Sequence, residues 1–290
     1  MSMVNKYCDL HTHSSYSDGT LSPSELIQQA ERAGLAAVAL CDHNTVAGLP
    51  EFVAAGQGST VEAVPGIEFS TDYEGTELHL ILLFVKPEDY GEIGDRLEKF
   101  RVLKEQSNIE LVRALKADGY SIDYDAIRKR IPDGYVNRAH IAAELTGKGY
   151  TVSIKEAFQN LLKSGAGYYT PPTRPDFFEM IDFIKRLGGV SVLAHPFLNL
   201  KESDIKKLLP TAVARGLDAM ETMYPLYDEE MTLKARALAE GCGLLESGGS
   251  DFHGSNKPDI QLGTGTGNLF ITSDVLHCLK RKNSKNLLGL

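Results

Sequence analysis

One repeated pattern constrains this chain most: an amphipathic helix, a glycine, then an apolar run too short to be a second helix. Ser22-Pro23-Ser24-Glu25 combines an N-cap serine, a proline at the first helical position and a glutamate that closes a capping box. Leu26, Ile27, Ala30 and Ala33 follow at helical spacing, and Gly34 ends the helix. The run Gly34 to Leu40 has no polar face, which is how a strand covered on both sides reads. The unit returns three times: Asp176 to Leu187 leads into Val190 to Ala194, Ser203 to Ala214 into Leu217 to Thr222, and Asp228 to Glu240 into Leu244 to Glu246. Tyr7 to His13, Ala63 to Ser70 and Leu78 to Val85 are further strand-like segments. Strands alternating with helices predict a parallel sheet, and this many units suits a closed barrel.

Between Tyr90 and Pro172 the rhythm changes. Glu92 to Ala117 reads as one long helix stopped at Asp118-Gly119, and Arg138 to Thr146 as a shorter one stopped at Gly147. The organisation expected is a β/α barrel from residues 1–90 and 172–290, with residues 91–171 as a helical insertion over one end. A chain of 290 residues can bury one large core and such an insertion.

Composition excludes some functions. The net charge of −9, with no basic stripe, argues against a groove for extended duplex nucleic acid. A small phosphate ligand stays open, because divalent cations reverse the sign of a pocket locally. The longest apolar run, Leu78 to Val85, is too short for a membrane span and contains a histidine. The amino terminus, MSMVNKYCDLHTH, lacks the basic and apolar parts of a secretory leader. Four widely spaced cysteines form no paired metal or redox motif, and Cys41 and Cys242 read as small buried side chains. A cytoplasmic protein with no membrane partner is expected.

The polar residues that interrupt this pattern share one kind of place. His11 and His13, two apart on a strand, face the same way and can reach one cation. Asp18 lies in the turn that follows, where it either returns a carboxylate to the same mouth or serves the turn before Gly19. Asp42-His43 closes the run ending at Leu40, either as site residues or as a helix cap beside a surface histidine. Glu68 closes Val64-Pro65-Gly66-Ile67, and its burial is costly without a cation or partner. His79 opens its run instead of closing it; a hairpin turning near Tyr73 to Thr76 would bring it within a rung or two of Glu68. His195 closes another buried strand, and Asp251 and His253 repeat the two-residue spacing inside a glycine-rich segment. Of eight histidines, only His140 and His277 fall outside this pattern. Imidazoles and carboxylates without thiolates suit zinc, manganese or iron.

The motifs DLHTHSSYSDGT (9–20), CDHNT (41–45), GIEFS (66–70), LAHP (193–196) and GGSDFHG (248–254) make the chain resemble the PHP family, the polymerase and histidinol phosphatase domain. The resemblance covers almost the whole chain. It implies a distorted seven-stranded (β/α) barrel with two or three divalent metal ions. Position by position it implies His11, His13, Glu68 and Asp251 on the first metal, with Glu68 bridging to a second held by His79 and His195. Asp18, His43 and His253 would hold a third. Within the family, the chain is most similar to the branch of nucleoside 3′,5′-bisphosphate phosphatases and a 5′-to-3′ exoribonuclease acting on short RNA. That branch carries an Arg-x-His matched here by Arg138-Ala139-His140, which implies a grip on a second phosphate. Ser164 to Thr170 and Tyr224 to Tyr227 depart from the branch's pattern.

The chemistry expected is hydrolysis of a phosphomonoester by a metal-bound hydroxide, with no side chain assigned as the leaving-group acid. The substrate would be a small phosphorylated molecule, a nucleotide or short single-stranded RNA. Two alternatives stand beside this reading: a histidinol-phosphate-type phosphatase for a small metabolite, and a non-catalytic module that metals merely stabilise. Gly249-Ser250-Asp251 lacks the closing glycine of a nucleophile elbow, and Gly263 to Gly267 precedes a strand-like segment where a dinucleotide loop would follow one.

Overall fold

The computed structural model describes residues 7–131 and 135–289; residues 1–6, the first part of the segment inspected for a leader, fall outside that range. The chain opens with β1 (Tyr7–Thr12), α1 (Pro23–Arg32), β2 (Ala37–Leu40), α2 (Leu49–Gly56), β3 (Glu62–Tyr73) and β4 (Thr76–Leu83). Four helices follow: α3 (Tyr90–Ala117), α4 (Tyr124–Arg128), α5 (Arg138–Gly147) and α6 (Ile154–Ala157). The chain then runs α7 (Phe177–Leu187), β5 (Val190–Ala194), α8 (Glu202–Arg215), β6 (Ala219–Met223), α9 (Glu229–Gly241), β7 (Leu245–Gly248), β8 (Ile271–Thr272) and α10 (Ser273–Leu287). The capping box before α1 forms: Ser22 accepts from the Glu25 amide, and Glu25 accepts from the Ser22 amide at 2.8 Å. Gly188 ends α7 in the left-handed conformation.

The strands form one eight-stranded sheet in the order β7-β6-β5-β4-β3-β2-β1-β8. This corrects the seven-stranded (β/α) barrel expected from the sequence. The α/β class holds, but the barrel is nearly closed and has eight strands, and its pairing is mixed. β3 and β4 form an antiparallel hairpin, β4 is antiparallel to β5, and β8 is antiparallel to β1. The physical reason for the miss is length: β8 has two residues, too few to show any periodicity. β7 meets β1 through the segment that follows it. The Asp251 amide donates to the His11 carbonyl at 2.8 Å, and the His13 amide to the Phe252 carbonyl at 2.9 Å. A Cβ at Gly249 would stand 2.2 Å from the Cβ of His11, so glycine is what permits this seam.

Alternate strand residues build the barrel interior. Cys8, Ala39, Cys41, Val64, Ile81, Val192 and Ala219 belong to one buried apolar cluster, together with Leu276 and Leu279 from α10. The opposite strand faces, with Val38, Ile67, Leu80, Leu193 and Met220, join the helices in a second and larger cluster. Following the interior columns upward, Val64 and Gly66 lead to Glu68, Ala39 and Cys41 to His43, and Ala219 to Glu221. β4 runs the other way, so Ile81 leads back to His79, which lies opposite Ser70 on β3. The register of β1 shifts between Asp9 and Thr12, and its column ends on histidines.

Helices α3 to α6 bury an apolar cluster of their own, including Leu111, Leu115, Ile127, Ile141, Leu145 and Leu162. Among the described residues, no helix is long and apolar enough to cross a membrane.

Candidate metal centre

The nine residues singled out by sequence meet at one rim of the barrel. Glu68 sits at the middle, fully buried. Its Oε1 lies 2.8 Å from His79 Nδ1 and 3.0 Å from His195 Nε2. Its Oε2 lies 3.0 Å from His43 Nδ1, 3.3 Å from His11 Nε2 and 3.4 Å from His13 Nε2. Asp251 Oδ1 lies 3.2 Å from His13 Nε2, and Asp18 Oδ1 lies 3.3 Å from His253 Nε2. Four overlapping groups each bring their ligand atoms within 4.8 Å of one another: His11, His13 and Asp251; His11, Glu68 and His195; His43, Glu68 and His79; and His13, Asp18, His43 and His253. The Asp18, His43 and His253 trio expected from the sequence therefore stands together, with His13 joining it. His79 and His195 both touch Glu68 but fall in different groups.

The donor set fits divalent cations. Asp18 Oδ1, His43 Nδ1 and Glu68 Oε2 are buried and make no hydrogen bond, although the last two approach to 3.0 Å. Buried lone pairs converging without a proton between them are what a cation satisfies. The electrostatics agree. Burial alone would depress His11, but Glu68 and Glu221 raise its pKa well above the ordinary imidazole value. Burial would raise Glu68, yet His43, His79 and His11 hold its carboxyl well below the usual range. Two of the nine occupy left-handed backbone, His195 at φ 27° and Asp251 at φ 53°; that conformation is strained for residues with a Cβ, and it holds their side chains at the rim.

A second layer orients these groups, and sequence reading missed most of it. Glu221 Oε1 lies 3.0 Å from His11 Nδ1, and its Oε2 accepts the His195 amide at 2.7 Å. With Nδ1–H donating to Glu221, His11 turns Nε2 inward, and a cation that displaces the proton there would take its lone pair. The signal was available: Glu221 follows Ala219-Met220 in the strand-like segment Leu217 to Thr222, and a carboxylate buried there needs a partner. Tyr224 donates to Asp251 Oδ2 at 2.8 Å, and Lys257 does so at 2.6 Å. Asp42 caps no helix. It accepts from the Ser14 amide and the Ser14 and Ser17 hydroxyls, tying the turn that carries Asp18 to β2. Burial pushes its pKa up to about 6. Asp9 likewise accepts from the amides of Ser250 and Gly263, fixing the segment that carries Asp251.

The helical region contributes a roof of cations. Arg138 reaches Glu77 at 3.7 Å, donates to the Leu162 carbonyl at 3.2 Å, and lies 4.2 Å over the Tyr169 ring. Arg174 binds Glu77 at 2.6 Å, and the other Glu77 oxygen lies 3.5 Å from His79 Nε2. Burial would raise Glu77, but His79, Arg174 and Arg138 hold it well below the carboxylate range. His140 Nδ1 accepts the Asn137 amide at 2.9 Å. Burial lowers its pKa to about 4, so the ring is neutral near pH 7.

Comparison with known proteins adds an independent line. A model of the PHP domain matches residues 9–122. A 5′-3′ exoribonuclease of Haemophilus influenzae is 34% identical over 87% of this chain and 91% of its own length. A 3′,5′-nucleoside bisphosphate phosphatase of Chromobacterium violaceum is 27% identical over 88% of this chain and 90% of its own. A crystal structure from Bifidobacterium adolescentis, provisionally assigned as a metal-dependent phosphoesterase, superposes with a TM-score of 0.85 at 27% identity, covering 95% of this chain and 96% of that one.

Proposed function

The chain belongs to the PHP domain family, and on that premise we propose that it is a metal-dependent phosphoesterase hydrolysing nucleoside 3′,5′-bisphosphates or the 5′ end of short RNA. One observation carries the reading: Glu68 at the centre of five imidazoles, with buried lone pairs that no hydrogen bond satisfies. His11, His13, Asp18, His43, Glu68, His79, His195, Asp251 and His253 would hold two or three divalent ions, manganese, zinc or iron, since the donors are nitrogen and oxygen. Such ions supply electrophilic stabilisation of phosphoryl oxygens and acidify water.

The chain's own groups do the rest. Glu221 fixes the tautomer of His11, and Asp9 and Asp42 hold the loops that carry the outer ligands. Among the described residues, those within 91–171 would form a helical subdomain over the rim, and those within 1–90 and 172–290 the barrel. Arg138 and Arg174, paired to Glu77 without substrate, turn to a phosphate beside the one being hydrolysed. His140, neutral and accepting the Asn137 amide through Nδ1, holds the start of α5. A nucleoside bisphosphate and RNA, on which these relatives act, both carry more than one phosphate. Small or single-stranded substrates, not duplexes or membranes, suit a chain of net charge −9, and its free cysteines suit a cytoplasmic setting.

Steady-state assays test this. With manganese or zinc, adenosine 3′,5′-bisphosphate and a 5′-phosphorylated oligonucleotide should be turned over far better than histidinol phosphate. Arg138→Ala should raise KM for the bisphosphate about tenfold while metal content stays the same. Equal efficiency on all three substrates, or an unchanged KM, would contradict the assignment.

A further inference from the structure

Two cations of the roof, Arg101 and Lys104, have no part in the function proposed above. Arg101 and Lys104 lie one turn apart on α3 and line a narrow cleft of about 20 Å³ against His43, Asn44 and Thr45. Because His43 belongs to the metal centre, the cleft leads outward from it. Arg101 Nε is buried and has no hydrogen-bond acceptor among the described residues. Its guanidinium lies over the Tyr135 ring at 3.4 Å, which fixes the plane of the fork. Glu105, the carboxylate lining the same cleft, is engaged by Arg128 at 2.8 Å. Lys104 donates to Asn137 Oδ1 and keeps two further protons. A buried guanidinium N–H without an acceptor is costly, and the cost is removed when an anion arrives.

Resting on the phosphoesterase reading, we propose that this cleft is a subsite for a third phosphate, the internucleotide phosphate of an oligonucleotide, held by Arg101 and Lys104. The scissile phosphate sits at the metal centre and the adjacent one at Arg138 and Arg174. A further phosphate then exists only in a chain longer than a nucleoside bisphosphate. One feature selects a phosphate over a nucleobase. The cleft has room for one polar group, not for a planar ring. The subsite makes this chain an oligonucleotide-trimming enzyme in preference to a bisphosphatase.

The test compares adenosine 3′,5′-bisphosphate with a 5′-phosphorylated trinucleotide on wild type, Arg101→Met and Arg101→Lys. In Arg101→Met the ratio of trinucleotide KM to bisphosphate KM rises about tenfold or more, and Arg101→Lys recovers part of it. A parallel arm measures binding calorimetrically in chelator, using a phosphorothioate trinucleotide. The same ratio of dissociation constants shifts there whether or not the protein turns substrate over. A binding shift without hydrolysis by wild type would uphold the subsite and sink the phosphoesterase reading. Hydrolysis with an unmoved ratio would sink the subsite alone. On wild type itself, the salt dependence of trinucleotide binding exceeds that of a 5′-phosphorylated dinucleotide, which lacks the third phosphate, by a log–log slope of about 0.7. Equal slopes overturn the proposal even if the variants fail to fold.

Discussion

Replacing Glu221 by glutamine keeps the side chain's shape and removes one acceptor from a buried pair of donors. In the native arrangement its two oxygens face His11 Nδ1 at 3.0 Å and the His195 amide at 2.7 Å, all out of contact with water. An amide can accept from only one of these. Either His11 or the His195 backbone is then left facing an NH2 group, an unsatisfied buried donor that costs about 1–3 kcal/mol. If the His11 ring changes tautomer to escape, its proton moves to Nε2, the nitrogen that lies 3.3 Å from Glu68, and the inward lone pair is lost. Either way metal affinity falls, by about 10- to 100-fold on the scale of outer-layer partners of metal-bound histidines. Calorimetric titration of chelator-stripped protein with manganese or zinc measures it, with urea unfolding of the metal-free form as a separate check on stability. Affinity within twofold of wild type would refute the claim that Glu221 orients the centre.

Three further outcomes follow from the same geometry. Gly249→Ala places a Cβ 2.2 Å from the Cβ of His11 and 2.4 Å from its amide nitrogen. Urea unfolding should show a loss of about 1–3 kcal/mol or more, with weakened metal binding, because the clash falls on the barrel seam. Adding a divalent metal at about 100 times its dissociation constant should stabilise the protein by about 2.7 kcal/mol. A thermal scan would register this as a rise of several degrees, which chelator reverses. Burial holds Lys104 down to about 8, so its charge is present below that pH and lost as pH rises through it. The KM for a 5′-phosphorylated trinucleotide should climb across that interval in wild type and stay flat in Lys104→Arg.

The rim was legible in the sequence because buried strands carry their own punctuation. Val190 to Ala194 is apolar but for Ser191, so the histidine that closes it stands out, as His43 does after Leu40. His79 looked out of place only while every strand was assumed parallel; the β3–β4 hairpin reverses its strand and brings it to the same rim. Other features leave no such mark. The two residues of β8 cannot show a period, and α10 buries only Leu276 and Leu279 within a lysine-rich surface, so neither was expected. The roof is harder still. Glu77, Lys104, Arg138 and Arg174 come from a strand, two helices and a loop, and only tertiary packing sets them against one another.

The account stands or falls on whether the nine rim residues bind metal. Anomalous diffraction from crystals grown with manganese or zinc addresses this directly. Two or three peaks should appear, each about 2.0–2.3 Å from donor atoms among His11, His13, Asp18, His43, Glu68, His79, His195, Asp251 and His253, with one Glu68 oxygen or both shared between neighbours. Peaks confined to other surfaces, or none beside Glu68 at saturating metal, would contradict it.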